Sequence, residues 1–264
     1  MANQKQKSES VNQRRMMLCD NLSFAASEAY KLLRTNLIFS LPENGCRIIG
    51  VTSAVRDEGK STTSVNLCYS LAEAGKRVLL IEADMRLPNI AGNLGLKASP
   101  GLSNLLAGLT DGVGVLQTSS QFKSWKILTA GDIPPNPSEL LASKSMQVAL
   151  ESFAKGFDFI VLDLPPVNVV SDALVVSKMT DGMILVVRED FSSKNAVRDA
   201  INNFNLSDAK LLGIVMTHVN SKSSRKKYYR RKNGYGYGKG YGYGYGYGYE
   251  RAGKTSTPPS SKNG

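Results

Sequence analysis

The stretch from Arg47 to Gly75, RIIGVTSAVRDEGKSTTSVNLCYSLAEAG, constrains the fold more than any other part of the chain. RIIGVTS (47–53) reads as a strand and TTSVNLCYSLAEAG (62–75) as a helix, with only a tight turn between them. Five more apolar runs have strand character: RVLLIEAD (77–84), WKILTAG (125–131), FDFIVLDLPP (157–166), GMILVVRE (182–189) and KLLGIVMTHV (210–219). Helical segments are expected at Ser23–Phe39, with Ser23 or Ser27 as cap, and around Ser138–Phe153, Asp172–Met179 and Ser193–Asn205. Continuous Val, Ile and Leu runs alternating with helices predict an α/β domain, a mostly parallel sheet covered by helices on both faces.

Charge separates this domain from the C-terminal tail. From Ser221 to Gly264 there are eleven Lys or Arg and one acid, Glu250, so the tail carries +10. Residues 1–220 hold 22 basic and 21 acidic side chains and are nearly neutral. A specific nucleic-acid surface on the body is therefore not expected, although the tail alone could bind polyanions or anionic lipid. Three domains result: a flexible segment 1–22, a folded domain 23–220 and a disordered tail 221–264. The tail contains YYRRKNGYGYGKGYGYGYGYGY, holding nine of the eleven tyrosines: Tyr228, Tyr229, Tyr235, Tyr237, Tyr241, Tyr243, Tyr245, Tyr247 and Tyr249. Glycine at alternate positions penalises helix and strand, and no aliphatic residue is there to bury a face.

Cys19, Cys46 and Cys68 form neither CxxC pairs nor an even set, which favours buried thiols in a reducing cytosol. No apolar run approaches the roughly 18 residues that span a bilayer. The one histidine, His218, is read as a packing or loop residue, and neither zinc spacing nor a Ser-His-Asp set is present.

The turn after the first strand, Ala54 to Thr63, carries the chemistry. Strand, tight turn and helix N-terminus are the context a phosphate-binding loop requires. Backbone N–H groups across Asp57, Glu58 and Gly59, with the helix dipole behind them, cradle phosphates. Lys60 reaches the β/γ oxygens, Ser61 takes a place on Mg²⁺, and Thr62 adds a hydroxyl to the α-phosphate. Ala54 replaces the first glycine of the GxxxxGK[ST] pattern. Glu82 and Asp84 stand two apart at the end of one strand run, and Asp163 ends another. Alternation along a strand would turn 82 and 84 toward the same side, at the sheet edge where α/β ligands bind. Three carboxylates there supply ligands for a hard cation and a proton acceptor.

Together these residues resemble the bacterial tyrosine kinases of capsule and exopolysaccharide synthesis. The resemblance rests on GKST (59–62), the ExDxR segment (82–86), DLPP (163–166), PPNPSELLAS (134–143) and the tyrosine cluster, and covers about residues 23–250. It implies ATP-dependent phosphorylation of tyrosine, chiefly on the tail of a neighbouring copy. Lys60 and Ser61 would hold ATP and Mg²⁺, Asp84 and Asp163 would position the metal, and Glu82, where the family usually has Asp, would help deprotonate the phenol. Asn220 would lie near the base and Asp172 near the γ-phosphate. Glu28, Lys31 and Arg34 match a helix motif implicated in ring-shaped oligomers, with lysine in place of arginine at the middle position. Implied partners are a separate transmembrane activator, resembling a polysaccharide co-polymerase, acting through its cytoplasmic end, and a cognate phosphotyrosine phosphatase. The resemblance also implies a cytoplasmic location at the inner face of the membrane. Related partitioning and cell-division ATPases, the competing reading, carry a lysine where this chain has Val55. A third reading is a scaffold whose tail binds polyanions.

Overall fold

The computed structural model describes residues 22–42, 45–110 and 114–219. Asn220, all nine tail tyrosines and the segment before residue 22 lie outside the described residues. Among the described residues there are seven strands: β1 (Arg47–Ser53), β2 (Val78–Glu82), β3 (Gln117–Thr118), β4 (Trp125–Leu128), β5 (Phe159–Asp163), β6 (Gly182–Arg188) and β7 (Leu211–Thr217). They form one sheet in the order β3-β4-β2-β5-β1-β6-β7, in which every pairing is parallel except β3 with β4. The expected α/β architecture holds, and β3 is an addition to it.

Helices cover both faces. On one lie α1 (Phe24–Ser40), α2 (Lys60–Glu73) and α3 (Ile90–Leu94). The other carries α4 (Leu102–Leu106), α5 (Pro137–Ala142), α6 (Lys144–Ala154), α7 (Asp172–Ser177) and α8 (Lys194–Leu206). Strands β2 and β5 are buried at every position, as their unbroken aliphatic runs require of a sheet with two covered faces. Each fully buried Leu, Ile or Phe contributes about 1.5–3 kcal/mol relative to exposure. Helix α2 is buried at eleven of its fourteen residues because it lies between the sheet and α1. Trp125 is fully buried beside Tyr69 in that same layer.

Local sequence sets the ends of the helices. Ser23 caps α1 by accepting the Ala26 N–H. The expected helix around 138–153 is two helices joined at Ser143. This residue ends α5, and its side chain accepts the Met146 N–H as the cap of α6. Pro137 occupies the first turn of α5, where its missing N–H has no cost.

Central strand β1 lies between β5 and β6, so its exit loop emerges in the middle of the C-terminal sheet edge. The register pairs Val51 with Asp163 and Glu82 with Asp163, which places the ends of β1, β2 and β5 side by side.

Candidate phosphate and cation site

The loop between β1 and α2 turns twice through the left-handed region, at Asp57 (φ 63°) and Gly59 (φ 91°). Aspartate tolerates this conformation and glycine adopts it freely. Ala54 is fully buried in the core at the root of the loop. The first N–H groups of α2 have no partner within their own helix and face out at its N-terminus, where the dipole is positive.

Lys60 opens α2 and turns its ammonium between two carboxylates. Its Nζ lies 2.8 Å from Asp84 Oδ2 and 3.5 Å from Asp163 Oδ2, all three side chains being largely buried. Ser61 donates to Asp163 Oδ2 at 2.7 Å, and Ser64, one turn further on, donates to Asp163 Oδ1 at 3.1 Å. Burial alone would lower the Lys60 pKa, but Asp163 and Asp84 together hold it above its ordinary value. At Asp163 burial pushes the carboxyl up against the pull of Lys60 and the Ser61 hydroxyl. Ser64 carries no motif signal in the sequence, although its i,i+3 spacing from Ser61 puts both hydroxyls on one helical face.

Glu82 does not turn toward this cluster. Strand β2 ends at Glu82, so the alternation that would align it with Asp84 stops there. Its Oε1 accepts the N–H groups of Asn89 and Ile90, each at 2.6 Å, and Oε2 accepts that of Ala130 at 3.2 Å. It thus ties the start of α3 to the loop after β4. Burial raises its pKa, opposed by the Ile90 amide and assisted by the Asp163 charge. Two of the three expected carboxylates therefore converge on Lys60. Among the described residues no cluster of three or more His, Cys, Asp or Glu is placed to hold a metal ion.

Arg86 gives the ExDxR segment its last contact. Its guanidinium forms a two-pronged bond to the fully buried Asp172, at 2.9 and 3.1 Å, and donates to Ser138 Oγ at 2.8 Å. Ser138 also donates to Asp172, at 2.5 Å. The loop after β2 and the first turns of α5 and α7 are fastened together at this point, which accounts for the serine of PPNPSELLAS. Asp172 is thereby engaged with Arg86 rather than standing alone.

Of the helix triplet, Glu28 and Lys31 pair with each other at 2.9 Å on the exposed side of α1. Arg34 turns inward and donates to the Ser70 carbonyl at 2.6 Å near the end of α2. His218 is exposed, has φ 55° and lies just past the last residue of β7, in keeping with a loop role. Asp57, Glu58, Gly59 and Thr62 all lie in the loop or the first turn of α2, as their positions require.

Comparison with known proteins agrees with this geometry. Residues 49–235 match the CobQ/CobB/MinD/ParA nucleotide binding domain family. The chain is 35% identical over 210 residues to tyrosine-protein kinase YwqD of Bacillus subtilis, covering 79% of this chain and 88% of that one. It is 31% identical to tyrosine-protein kinase etk of Escherichia coli over 78% of this chain, but that match spans only 28% of the longer protein. The solved kinase domain of E. coli ETK superposes with a TM-score of 0.71 at 30% identity, covering 83% of this chain and 80% of the other. The crystal structure of the chimerical protein CapA2B2 superposes with a TM-score of 0.68 at 33% identity, covering 72% and 83%. This chain belongs to the bacterial tyrosine-protein kinases, within the CobQ/CobB/MinD/ParA nucleotide-binding domain family.

Proposed function

We propose that the chain transfers the γ-phosphoryl group of ATP to tyrosine, with the nine-tyrosine tail of a second copy as its first acceptor, and that it regulates capsular or exopolysaccharide synthesis and export. The observation that carries this reading is Lys60, held between Asp84 and Asp163 at the head of α2. An ammonium already occupies the point where two carboxylates and the Ser61 hydroxyl meet, so the place suits a cation. Its donors are hard oxygens, the type Mg²⁺ prefers.

In this reading Lys60 would bind the β/γ oxygens of the nucleotide, and Ser61, Asp84 and Asp163 would hold Mg²⁺. Bound MgATP supplies the transferable phosphoryl group and neutralises charge on its oxygens. Loop amides at Asp57, Glu58 and Gly59 and the Thr62 hydroxyl orient the phosphates, and Asn220 adjoins the base. Glu82, the expected proton acceptor for the phenol, is buried, turned from this cluster and bonded to three backbone amides, so proton removal is not assigned to it.

Glycine on both sides of most tail tyrosines allows a phenol to approach in line with the phosphate. Self-association is supported by α1, where Phe24, Leu32 and Phe39 are exposed on the same helical face as Glu28 and Lys31. Phosphorylating all nine tail tyrosines adds roughly −13 to −18 charges. That exceeds the tail's +10 and would drive neighbours apart. A phosphotyrosine phosphatase would reverse the change. A separate transmembrane activator is supported by the long Etk chain, in which a domain like this one makes up little more than a quarter. No helix of the described residues is long and apolar enough to cross a membrane. In this proposal the chain works in the cytoplasm, brought to the membrane by that activator.

Incubation with labelled ATP and a candidate activator fragment tests the proposal. Label retained on tail tyrosines of wild type and lost in Lys60→Met supports it. Release of free phosphate alone, with every tyrosine unmodified by mass spectrometry, replaces it with the partitioning-type ATPase reading.

A further inference from the structure

Glu58 is a carboxylate with no access to solvent, placed immediately before the left-handed Gly59 of the phosphate loop. Burying a charge is costly unless its oxygens are bonded, and the bonds it makes all brace the loop. Its Oε2 accepts the Val55 N–H at 2.9 Å, closing the loop across three residues. Its Oε1 accepts the hydroxyl of Ser192, which in turn accepts the Arg188 N–H at 2.9 Å. The Glu58 carbonyl accepts from Thr217 Oγ1 at 2.7 Å, and the Asp57 carbonyl from Arg188 Nη1 at 3.3 Å.

In a trans peptide the C=O of one residue and the N–H of the next point in opposite directions. Fixing the Glu58 carbonyl on Thr217 therefore aims the Gly59 N–H away from β7. Fixing the Asp57 carbonyl on Arg188 aims the Glu58 N–H in the same manner. Two successive phosphate-loop donors are thus oriented by the side chains of Arg188 and Thr217 at the ends of β6 and β7, while Ser192 in the loop after β6 holds the Glu58 carboxylate.

We propose that Glu58 is a positioning residue: its carboxylate, seated on Ser192, holds the phosphate loop in its receiving shape before any nucleotide arrives. Nucleotide affinity then carries no cost of ordering the loop, a saving that shows in binding rather than in the chemical step. The inference rests on the nucleotide-binding reading and not on tyrosine transfer.

The test is titration of the full-length chain with MgADP, read by calorimetry, beside a melting curve for each variant. Glu58→Leu keeps the buried volume without the bonds and is expected to weaken binding tenfold or more. Glu58→Gln keeps an acceptor for the Val55 N–H and is expected to bind within threefold of wild type. Ser192→Ala is expected to weaken binding at least threefold, and Glu58→Leu with Ser192→Ala to be no weaker than Glu58→Leu alone. A folded Glu58→Leu that melts lower yet binds MgADP as wild type does overturns the proposal, because Glu58 would then serve stability only. If Glu58→Leu does not fold, Ser192→Ala decides: a loss of threefold or more supports the strut, a smaller one refutes it. A wild type that binds no MgADP refutes the nucleotide reading itself.

Discussion

Replacing Lys60 by Met should destabilise the nucleotide-free chain, an effect distinct from any loss of activity. The ammonium lies 2.8 Å from Asp84 Oδ2 and 3.5 Å from Asp163 Oδ2, so those oxygens are at most about 6.3 Å apart. Without the lysine, two charged carboxylates at that separation repel by at least about 2.6 kcal/mol at an effective dielectric of about 20. That agrees with the lower end of the 3–5 kcal/mol typical for removing one partner of a buried ion pair. For a domain of about this size, 3 kcal/mol lowers Tm by about 6–12 °C. The assay is thermal and urea denaturation of wild type, Lys60→Met and Lys60→Met with Asp84→Asn; the double variant should recover about half the loss. The effect also has a definite pH sign. Burial holds the Asp163 pKa above its unfolded value, so the stability it contributes is present at low pH and lost as pH rises through the folded pKa. Removing the opposing lysine enlarges that shift, so the gap between wild type and variant should widen above the ordinary carboxylate range and close below it. A Tm change under about 2 °C at neutral pH would refute the reasoning, since it would mean the two carboxylates gain nothing from the ammonium.

Two further outcomes are expected of the same structure. Glu82→Ala strands the amides of Asn89, Ile90 and Ala130, and at about 1–3 kcal/mol for each orphaned group it should cost at least about 3 kcal/mol. Hydrogen exchange should accelerate first at those three amides, and unchanged protection there would contradict the role drawn for Glu82. Burial raises the Cys46 pKa from 9.0 to about 11, so at pH 8 its thiolate fraction should be about a hundredfold below that of an ordinary thiol. In a Cys19→Ser background, alkylation at pH 8 should be correspondingly slow, and the stability this thiol contributes should decline as pH rises from about 9 to about 11.

The fold is legible in the sequence wherever burial imposes a pattern. Strands β1, β2, β4, β5 and β6 read as apolar runs because a strand covered on both faces admits little else, whereas β7 has a similar apolar run although none of its positions is buried. Gln117–Thr118 is invisible for the converse reason: two polar residues at an antiparallel edge carry no periodic signal. The short helices at Ile90–Leu94 and Leu102–Leu106 span little more than one turn, too few residues for a 3.6-residue period to repeat. The break at Ser143 is in principle readable, since serine is a strong helix cap, but the helical pattern continues on both sides of it.

Site residues divide along a similar line. Lys60, Ser61 and Asp163 are legible because a loop motif and a strand end locate them directly, and sheet register then brings β1 and β5 together. The sequence locates Glu82 at a strand end but not its direction, because alternation holds only while the strand lasts and β2 stops at that residue. The partners of Glu58 and Asp172 lie far along the chain, Ser192 at 134 residues and Arg86 at 86, and no local rule relates such positions. What a local motif conveys is where a backbone turns; which side chains hold that turn in place is decided by neighbours the topology supplies. That division explains why the phosphate loop can be named from a short motif while the contacts that shape it come from β6, β7 and the loop between β6 and α8. Variation at Ser192 or Thr217 should therefore tune nucleotide binding even where the loop sequence itself is unchanged.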